Sequence, residues 1–299
     1  MKTIITILFV ITVLFIGCDK NEMDFDQKLT DGFCILSGDK VILNHTDFEY
    51  YDYSTHLIYL KDNKTFTDYI EEIGGFTVYA NGEEIYLGQT QPGYSSYLPF
   101  GSVIINTHPS FYADYLIPIS FLSIRDTLGN VSPDPREDER IINALKKYDQ
   151  FHAGLSCEIK SIHYLSSNNV KVELQLKNND SFNYYYLDPD KMGLGLFHYF
   201  TNGLFIGDLE NYYEYSHKEQ HIQPESNKLW KKEWMSIIHG NESEVITVEY
   251  NNFEDVPPGR YNATFMFPGL SRIDKKDVVQ NDGQIWLGKL YMNKEITIE

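Results

Sequence analysis

Few groupings of residues in this chain have the types and spacing that chemistry demands. His217 and His221 stand four apart in His217-Lys218-Glu219-Gln220-His221, a separation that would put two imidazoles on one face of a helix and supply half of a zinc site. A third ligand is not evident, and the neighbouring Tyr212-Tyr213-Glu214-Tyr215 reads as strand or loop, so the pair reads as part of a solvated loop and no metal is assigned. Asp188-Pro189-Asp190-Lys191-Met192-Gly193 sets oxygen ligands ahead of a glycine, as calcium loops do, but lacks the spacing and terminal glutamate of an EF-hand and reads as a turn. Trp230 and Trp234 could stack on sugar rings or on a partner's side chains, or could pack together as one helical turn. Tyr50-Tyr51 and Tyr184-Tyr185-Tyr186 pose the same alternative. Successive rings on a strand point to opposite faces, so at least one tyrosine of each cluster is expected at the surface. Trp230, Trp234, Tyr50, Tyr51 and Tyr185 are therefore the candidate contact residues. No G-x-S-x-G elbow, phosphate loop or dinucleotide fingerprint occurs, and no spacing of Ser, His and Asp selects a triad. No catalytic residue and no cofactor is assigned on this reading.

The remaining chemistry belongs to three cysteines. Cys18 ends an apolar run from Ile4 to Ile16 that follows Met1-Lys2-Thr3. A helix of that length reaches about 20 Å, short of the roughly 30 Å hydrocarbon core of a bilayer. A basic start, a short apolar centre and a small residue, Gly17, before a cut site describe a cleaved signal peptide over residues 1–17. Cys34 and Cys157 could pair in an oxidising envelope, which would be worth about 4–5 kcal/mol for so long a loop. Alternatively, Cys157-Glu158-Ile159 alternates as a strand with its thiol turned to a core.

Phe15-Ile16-Gly17-Cys18 resembles the lipobox of bacterial lipoproteins. The resemblance implies transfer of diacylglycerol to the Cys18 thiol, cleavage between Gly17 and Cys18, and acylation of the new amino group. Two or more chains make an anchor stable where one is marginal. The acidic stretch Asp19-Lys20-Asn21-Glu22-Met23-Asp24-Phe25-Asp26 reads as a flexible tether, and also resembles surface-export signals of Bacteroidota-like lipoproteins. Asp126-Thr127-Leu128 resembles the O-glycosylation acceptor of exported proteins from such bacteria, with Thr127 the acceptor. These resemblances imply a bacterial cell-envelope protein, lipid-anchored at the outer membrane or cell surface.

Composition bounds the partners. The chain has 299 residues and a formal net charge of −18 at pH 7, and loss of Lys2 with the signal makes the remainder one unit more negative. Such acidity argues against nucleic acid and anionic membrane surfaces, which call for basic patches. Aromatic residues make up 15 %, with 23 tyrosines, a bias toward half-buried pleated surfaces.

The elements that would position any site follow from patterning. The expected fold is mainly β, α+β overall: a lipidated tether over 18–37, a small α+β domain over 38–125, a linker with one helix over 126–150, and an immunoglobulin-like β-sandwich over 151–299. In the first domain, Asn81-Gly82 between Phe76–Ala80 and Glu83–Leu87 signals a hairpin, because a type I′ turn needs φ > 0 twice. Phe66–Ile73 carries a helical stripe stopped by Gly74-Gly75. In the linker, Asp134-Pro135-Arg136-Glu137 opens a helix whose stripe is Ile141, Ile142, Leu145 and Tyr148. Asn169–Lys177 alternates aliphatic with polar residues, as a strand wet on one side must. A second hairpin is expected from Phe197–Phe200 and Leu204–Ile206 around Asn202-Gly203. Pro257-Pro258-Gly259-Arg260-Tyr261 resembles the tyrosine corner of immunoglobulin-like sandwiches and the turn of BsuPI-type modules, some of which inhibit proteases. Three functions stay open on this reading: a non-enzymatic module binding protein or glycan, an inhibitor of exported proteases, and a hydrolase with its site between the two bodies.

Overall fold

The structure is a computed structural model that describes residues 30–299 apart from 71–73, 93–94, 96–98, 108–110, 125–130, 167, 202, 209, 217–223 and 225–228. Gly17, Cys18, Thr127, His217 and His221 lie outside the described residues. The architecture is mainly β within an α+β whole.

The first body is built from β1 (Phe33–Ser37), β2 (Lys40–Asn44), β3 (Phe48–Asp52), β4 (Leu57–Leu60), β5 (Gly75–Ala80), β6 (Glu83–Gln91), β7 (Val103–Asn106), β8 (Leu116–Pro118) and β9 (Ser120–Phe121), with a single helical turn α1 (Thr67–Ile70). One sheet runs β2-β1-β5-β6-β7-β9. Its β5–β6 turn carries Asn81 at φ 51° and Gly82 at φ 86°, the paired left-handed conformations that the dipeptide predicts. Strand β1 corrects the boundary of the tether: Phe33, Cys34 and Ile35 are fully buried between β2 and β5, so the chain is already structured before residue 38. The linker helix is also drawn into this body. Asp134 caps a 3₁₀ turn, Pro135–Glu137, and Asp138 then caps α2 (Glu139–Lys146) by accepting from the Arg140 backbone N–H at 2.9 Å. Ile141 and Leu145 join the first core.

A second sheet, β10-β3-β4-β8, includes β10 (Phe151–His152), which pairs in parallel with β3. All four residues of β4 are buried, and they divide by alternation: Ile58 and Leu60 enter the first core, Leu57 and Tyr59 the second. The neighbours follow suit. Ile117 of β8 faces the first core and Leu116 the second, while Phe48 and Tyr51 of β3 face the first and Tyr50 packs against the second. This sheet is a wall common to both bodies.

The second body comprises β11 (Leu155–Ser166), β12 (Asn169–Asn178), β13 (Tyr184–Leu187), α3 (Pro189–Met192), α4 (Leu194–Phe200), β14 (Leu204–Gly207), β15 (Tyr212–Glu214), β16 (Met235–Ile238), β17 (Ser243–Tyr250), β18 (Gly259–Phe267), β19 (Val279–Gln280), β20 (Gly283–Ile285) and β21 (Leu290–Ile298). Its sheets run β11-β12-β17, β16-β13-β20-β19 and β15-β14-β18-β21. On β12, Val170, Val172, Leu174 and Leu176 are buried, as the alternation predicts. The Tyr261 hydroxyl donates to the Pro257 carbonyl at 2.9 Å, the bond implied by the likeness to a tyrosine corner. Residues 197–200 depart from expectation, because they close α4 rather than form a strand. Gly193 at φ 73° opens that helix, Leu196 and Phe197 face the core, and Thr201 ends it by donating its hydroxyl to the Met266 carbonyl. Gly203 keeps its left-handed φ of 76°, but β14 pairs with β15 and β18 instead.

A wall whose strand β4 is buried on both faces ties the stability of the two bodies together. Unfolding followed by both far-ultraviolet circular dichroism and tryptophan fluorescence is therefore expected to show one transition. Leu57→Ala, facing the second core, and Ile58→Ala, facing the first, should each lower that same transition, by about 2–5 kcal/mol. Two transitions, with each substitution moving only one, would contradict a shared wall.

Candidate functional site

Most of the residues singled out for contact are packed inside. Tyr51 and Trp234 are buried, and so is every ring of Tyr184, Tyr185 and Tyr186. The expectation that alternation must expose one ring fails because β13 lies inside its sheet with protein on both faces. Each hydroxyl instead reaches a carboxylate: Tyr184 donates to Asp180 at 2.9 Å, Tyr185 to Asp282 at 3.4 Å and Tyr186 to Glu244 at 2.7 Å. Tyr50 is half-buried, its ring stacked between Tyr59 at 4.7 Å and His152 at 4.0 Å. Trp230 is half-buried against the second core. Cys34 lies on β1 of the first body and Cys157 on β11 of the second, with no disulfide joining them, and burial pushes both thiols up to about 12. Asp188 caps the single turn α3, with its carboxylate accepting from the Asp190 N–H at 2.9 Å. Among the described residues no group of three His, Cys, Asp or Glu is placed to hold a metal ion.

Two places combine chemical groups from both bodies. The first is sealed. Asp52, at the end of β3, is 4 % exposed and accepts from Trp286 Nε1 at 3.1 Å and from the Ser54 hydroxyl at 2.6 Å. Burial pushes its carboxyl up to about 6, with nearby Asp180 adding to the rise and the two donors opposing it. His152 is pulled down to about 4 by burial, against Asp180, and its Nδ1 has no hydrogen-bond partner among the described residues. Asp180 itself receives the Ala153 and Gly154 N–H groups, both at 2.8 Å. An acid, a histidine and a serine are the residue types of hydrolytic sites, but the Asp52 carboxyl is buried against Trp286. A Cβ on Gly154, which sits at φ 72°, would collide with Ser54 Oγ and Asp52 Oδ1, and one on Gly288 would lie 2.5 Å from Thr55 Cγ2. These two glycines let the second body close onto the Asp52–Thr55 turn.

The second place is open. Segments 111–115 and 271–273 are zipped together across the seam: the Ala113 N–H donates to the Ser271 carbonyl at 2.7 Å, the Ser271 hydroxyl to the Phe111 carbonyl at 2.6 Å, and the Tyr115 hydroxyl to the Ile273 carbonyl at 2.8 Å. This zipper holds the Phe111 ring 64 % exposed at the surface. Over that ring stand two cations, the Arg272 guanidinium at 5.3 Å and the Lys289 ammonium at 5.4 Å from its centroid, with Lys289 also 5.8 Å from the Tyr112 ring. Tyr199 and Phe200, at the end of α4, complete a cavity of about 260 Å³ whose floor is Leu270 and Ile273. Burial and the adjacent guanidinium hold the Lys289 ammonium below its ordinary range, and no carboxylate among the described residues pairs with it. A half-buried ammonium beside a guanidinium, on an aromatic base, has the chemistry to interact with an anion. A wider hollow of about 800 Å³ over β18 and β21 is lined by Asp208, Arg260 and Glu295, charges of both signs with no such selectivity.

Spacing in sequence gives no sign of the seam pocket, since its parts come from residues 111, 199–200, 269–273 and 289. Only Phe111 carries a hint, as an apolar residue standing outside any strand pattern.

The sealed group has a pH signature. Folded Asp52 keeps its proton up to about pH 6, whereas the unfolded chain releases it near the ordinary value of 3.8. Stability from this group is therefore full below that lower value and is lost as pH rises to 6. His152, and His56 pulled down to about 3, slope the other way, supplying stability above their ordinary values that fades as pH falls. Asp52→Asn removes only the first contribution. Relative to the unsubstituted chain, it should gain about 2 kcal/mol in urea unfolding between pH 4.5 and pH 7.5. A difference that stays constant with pH would contradict a buried, proton-holding Asp52.

No family model and no curated protein matches this chain. Among solved structures, the β-glucosidase from Kluyveromyces marxianus matches in its selenomethionine-labelled form, at a TM-score of 0.22 and 11 % identity, and in its complex with glucose, at 0.21 and 10 %. Each match covers 48 % of this chain and 14 % of the glucosidase chain. Superposition that loose assigns neither fold nor activity.

Proposed function

We propose that this is a lipid-anchored cell-envelope protein, held at the outer membrane or cell surface through acylated Cys18. Its folded body acts as a non-enzymatic module that binds a protein or glycan at the seam pocket. The observation that carries the binding reading is the pair Arg272 and Lys289 standing over the exposed Phe111 ring. In a chain of net charge −18, a half-desolvated ammonium on an aromatic base, Lys289 beside Phe111, with no carboxylate partner among the described residues, marks a place where an anionic group is received. The anchor reading is supported by Phe15-Ile16-Gly17-Cys18 behind a short apolar run, and by the acidic stretch that follows. The closed packing around Asp52 speaks against a hydrolytic site between the bodies. The Tyr261 corner concerns fold and adds nothing to protease inhibition.

Two measurements test the two halves. Mass spectrometry of the protein from native bacterial envelopes should find a chain beginning at Cys18 with diacylglyceryl and acyl groups, and Cys18→Ala should leave the membrane fraction. An unmodified Cys18 would end the anchor reading. For binding, immobilised soluble body should retain envelope glycan or peptide fractions, with at least a tenfold loss in Arg272→Gln combined with Lys289→Gln at unchanged melting temperature. Equal retention by the double variant would end the seam-pocket reading.

A further inference from the structure

Where a lysine of this protein leaves water, its nitrogen meets oxygen. Among the described residues, half-buried Lys171 pairs with Glu173 at 3.0 Å, and half-buried Lys275 with Glu49 and Asp62, both at 3.0 Å. Half-buried Lys294 donates to the Ile159 carbonyl at 3.0 Å and to the Lys160 carbonyl at 2.5 Å. Lys289 departs from that pattern. It is half-buried too, but its nitrogen meets only rings, Phe111 at 5.4 Å and Tyr112 at 5.8 Å from their centroids, and no oxygen acceptor among the described residues.

An ammonium carries three donors, and burial that offers them no acceptor favours the neutral amine. The faces of Phe111 and Tyr112 attract the charged form, but a ring face replaces lost hydration only in part. Burial first, and the nearby Arg272 charge second, hold the Lys289 ammonium below its ordinary range. The other titratable groups that face it are phenols, Tyr112, which burial pushes up to about 12, and Tyr199; neither is a carboxylate that would restore the charge. A neutral lysine has a free lone pair, and desolvation or a second cation nearby is what makes a lysine nucleophilic.

The cavity in front of that nitrogen defines what it can react with. Its volume of about 260 Å³ is below the range for drug-sized ligands, and its walls and floor include Phe111, Phe200, Leu270 and Ile273. A small apolar body placed there removes its own surface and that of the rings from water, whereas a body covered in hydroxyls gives up hydration for little return. A carbonyl carbon on such a body is the electrophile that a neutral amine attacks without a further cofactor.

We propose that Lys289 is a reactive amine that captures small aldehydes with an apolar body as an imine in the seam pocket. The lone pair of Nζ forms the C–N bond while the carbonyl π pair moves onto oxygen. Both amine hydrogens then leave with that oxygen as water, and a C=N double bond stands where C=O was. No electrons are gained or lost overall. The capture goes beyond the binding reading: a positive charge at residue 289 serves the anion, and a lone pair serves the aldehyde.

The test exposes the soluble body to benzaldehyde or to glyceraldehyde near neutral pH, with sodium cyanoborohydride to reduce any imine, and follows each lysine adduct by peptide mass mapping. With benzaldehyde, Lys289 should be modified at least tenfold faster than exposed Lys231, Lys232 and Lys276, and its rate should level off at a lower pH than theirs. With glyceraldehyde that lead should shrink at least threefold. Lys289→Arg should lose the adduct at unchanged melting temperature while keeping the positive charge and the retention of envelope fractions, so loss of capture and loss of binding are told apart. Modification of Lys289 no faster than that of the exposed lysines would overturn the capture. An equal lead with both aldehydes would overturn the apolar class of ligand.

Discussion

In the four-stranded sheet β10-β3-β4-β8, the central strand β4 and its neighbour β8 are buried on both faces, and the rest of the molecule is arranged around that constraint. A strand buried on both sides must be apolar at every position, and Leu57-Ile58-Tyr59-Leu60 is. Polar groups that must lie on such a sheet need partners on the far side. Asp52 finds Trp286, Tyr115 finds the Ile273 carbonyl, and Lys275 spans to the Leu60 carbonyl at 2.6 Å and to Glu49 and Asp62, both at 3.0 Å. Along the same face a ladder of rings runs Tyr115, Tyr59, Tyr50, His152, Phe182, Tyr184, with neighbouring centroids 4.0 to 5.2 Å apart. These contacts replace water on the wall's second face and make the seam a core rather than a cleft.

The same closure explains where a site can exist. In the middle of the seam the bodies meet at glycine distance, and there the Asp52 carboxyl is buried. At its rim the zipper between 111–115 and 271–273 ends in outward-facing side chains that the wall no longer covers. Phe111, Arg272 and Lys289 are held there by backbone hydrogen bonds and strand ends, so their placement costs little further ordering when a ligand arrives. A rigid rim on a tightly packed seam is a sound base for recognition, and the tether proposed ahead of residue 30 would let it range over a surface.

Local signals were legible wherever one face of an element meets water. The alternation of Asn169–Lys177, the Asn81-Gly82 turn, the stripe of Ile141 and Leu145, and the Pro257–Tyr261 corner all needed only neighbouring residues. Reading failed where burial on both faces removes the alternating pattern. The three tyrosines of β13 look like a surface cluster until two faces of protein enclose them, and Phe33–Ser37 looks like the end of an acidic segment until β2 and β5 flank it. Asn202-Gly203 is a strong hairpin cue, yet Gly193 and Thr201 supply helix ends that override it, a tertiary outcome of docking Leu196 and Phe197. The seam pocket joins residues up to 178 positions apart, from Phe111 to Lys289, and its parts acquire meaning only once the wall has brought them together.

Native-state hydrogen exchange of residues 57–60 tests the shared wall most directly. If the wall belongs to both cores, these amides exchange only with global unfolding, at the same free energy as the most protected amides of β5 in the first body and β18 in the second. Exchange at residues 57–60 through a cheaper opening, while β18 stays protected, would contradict the shared wall and make the two bodies independent units that merely touch.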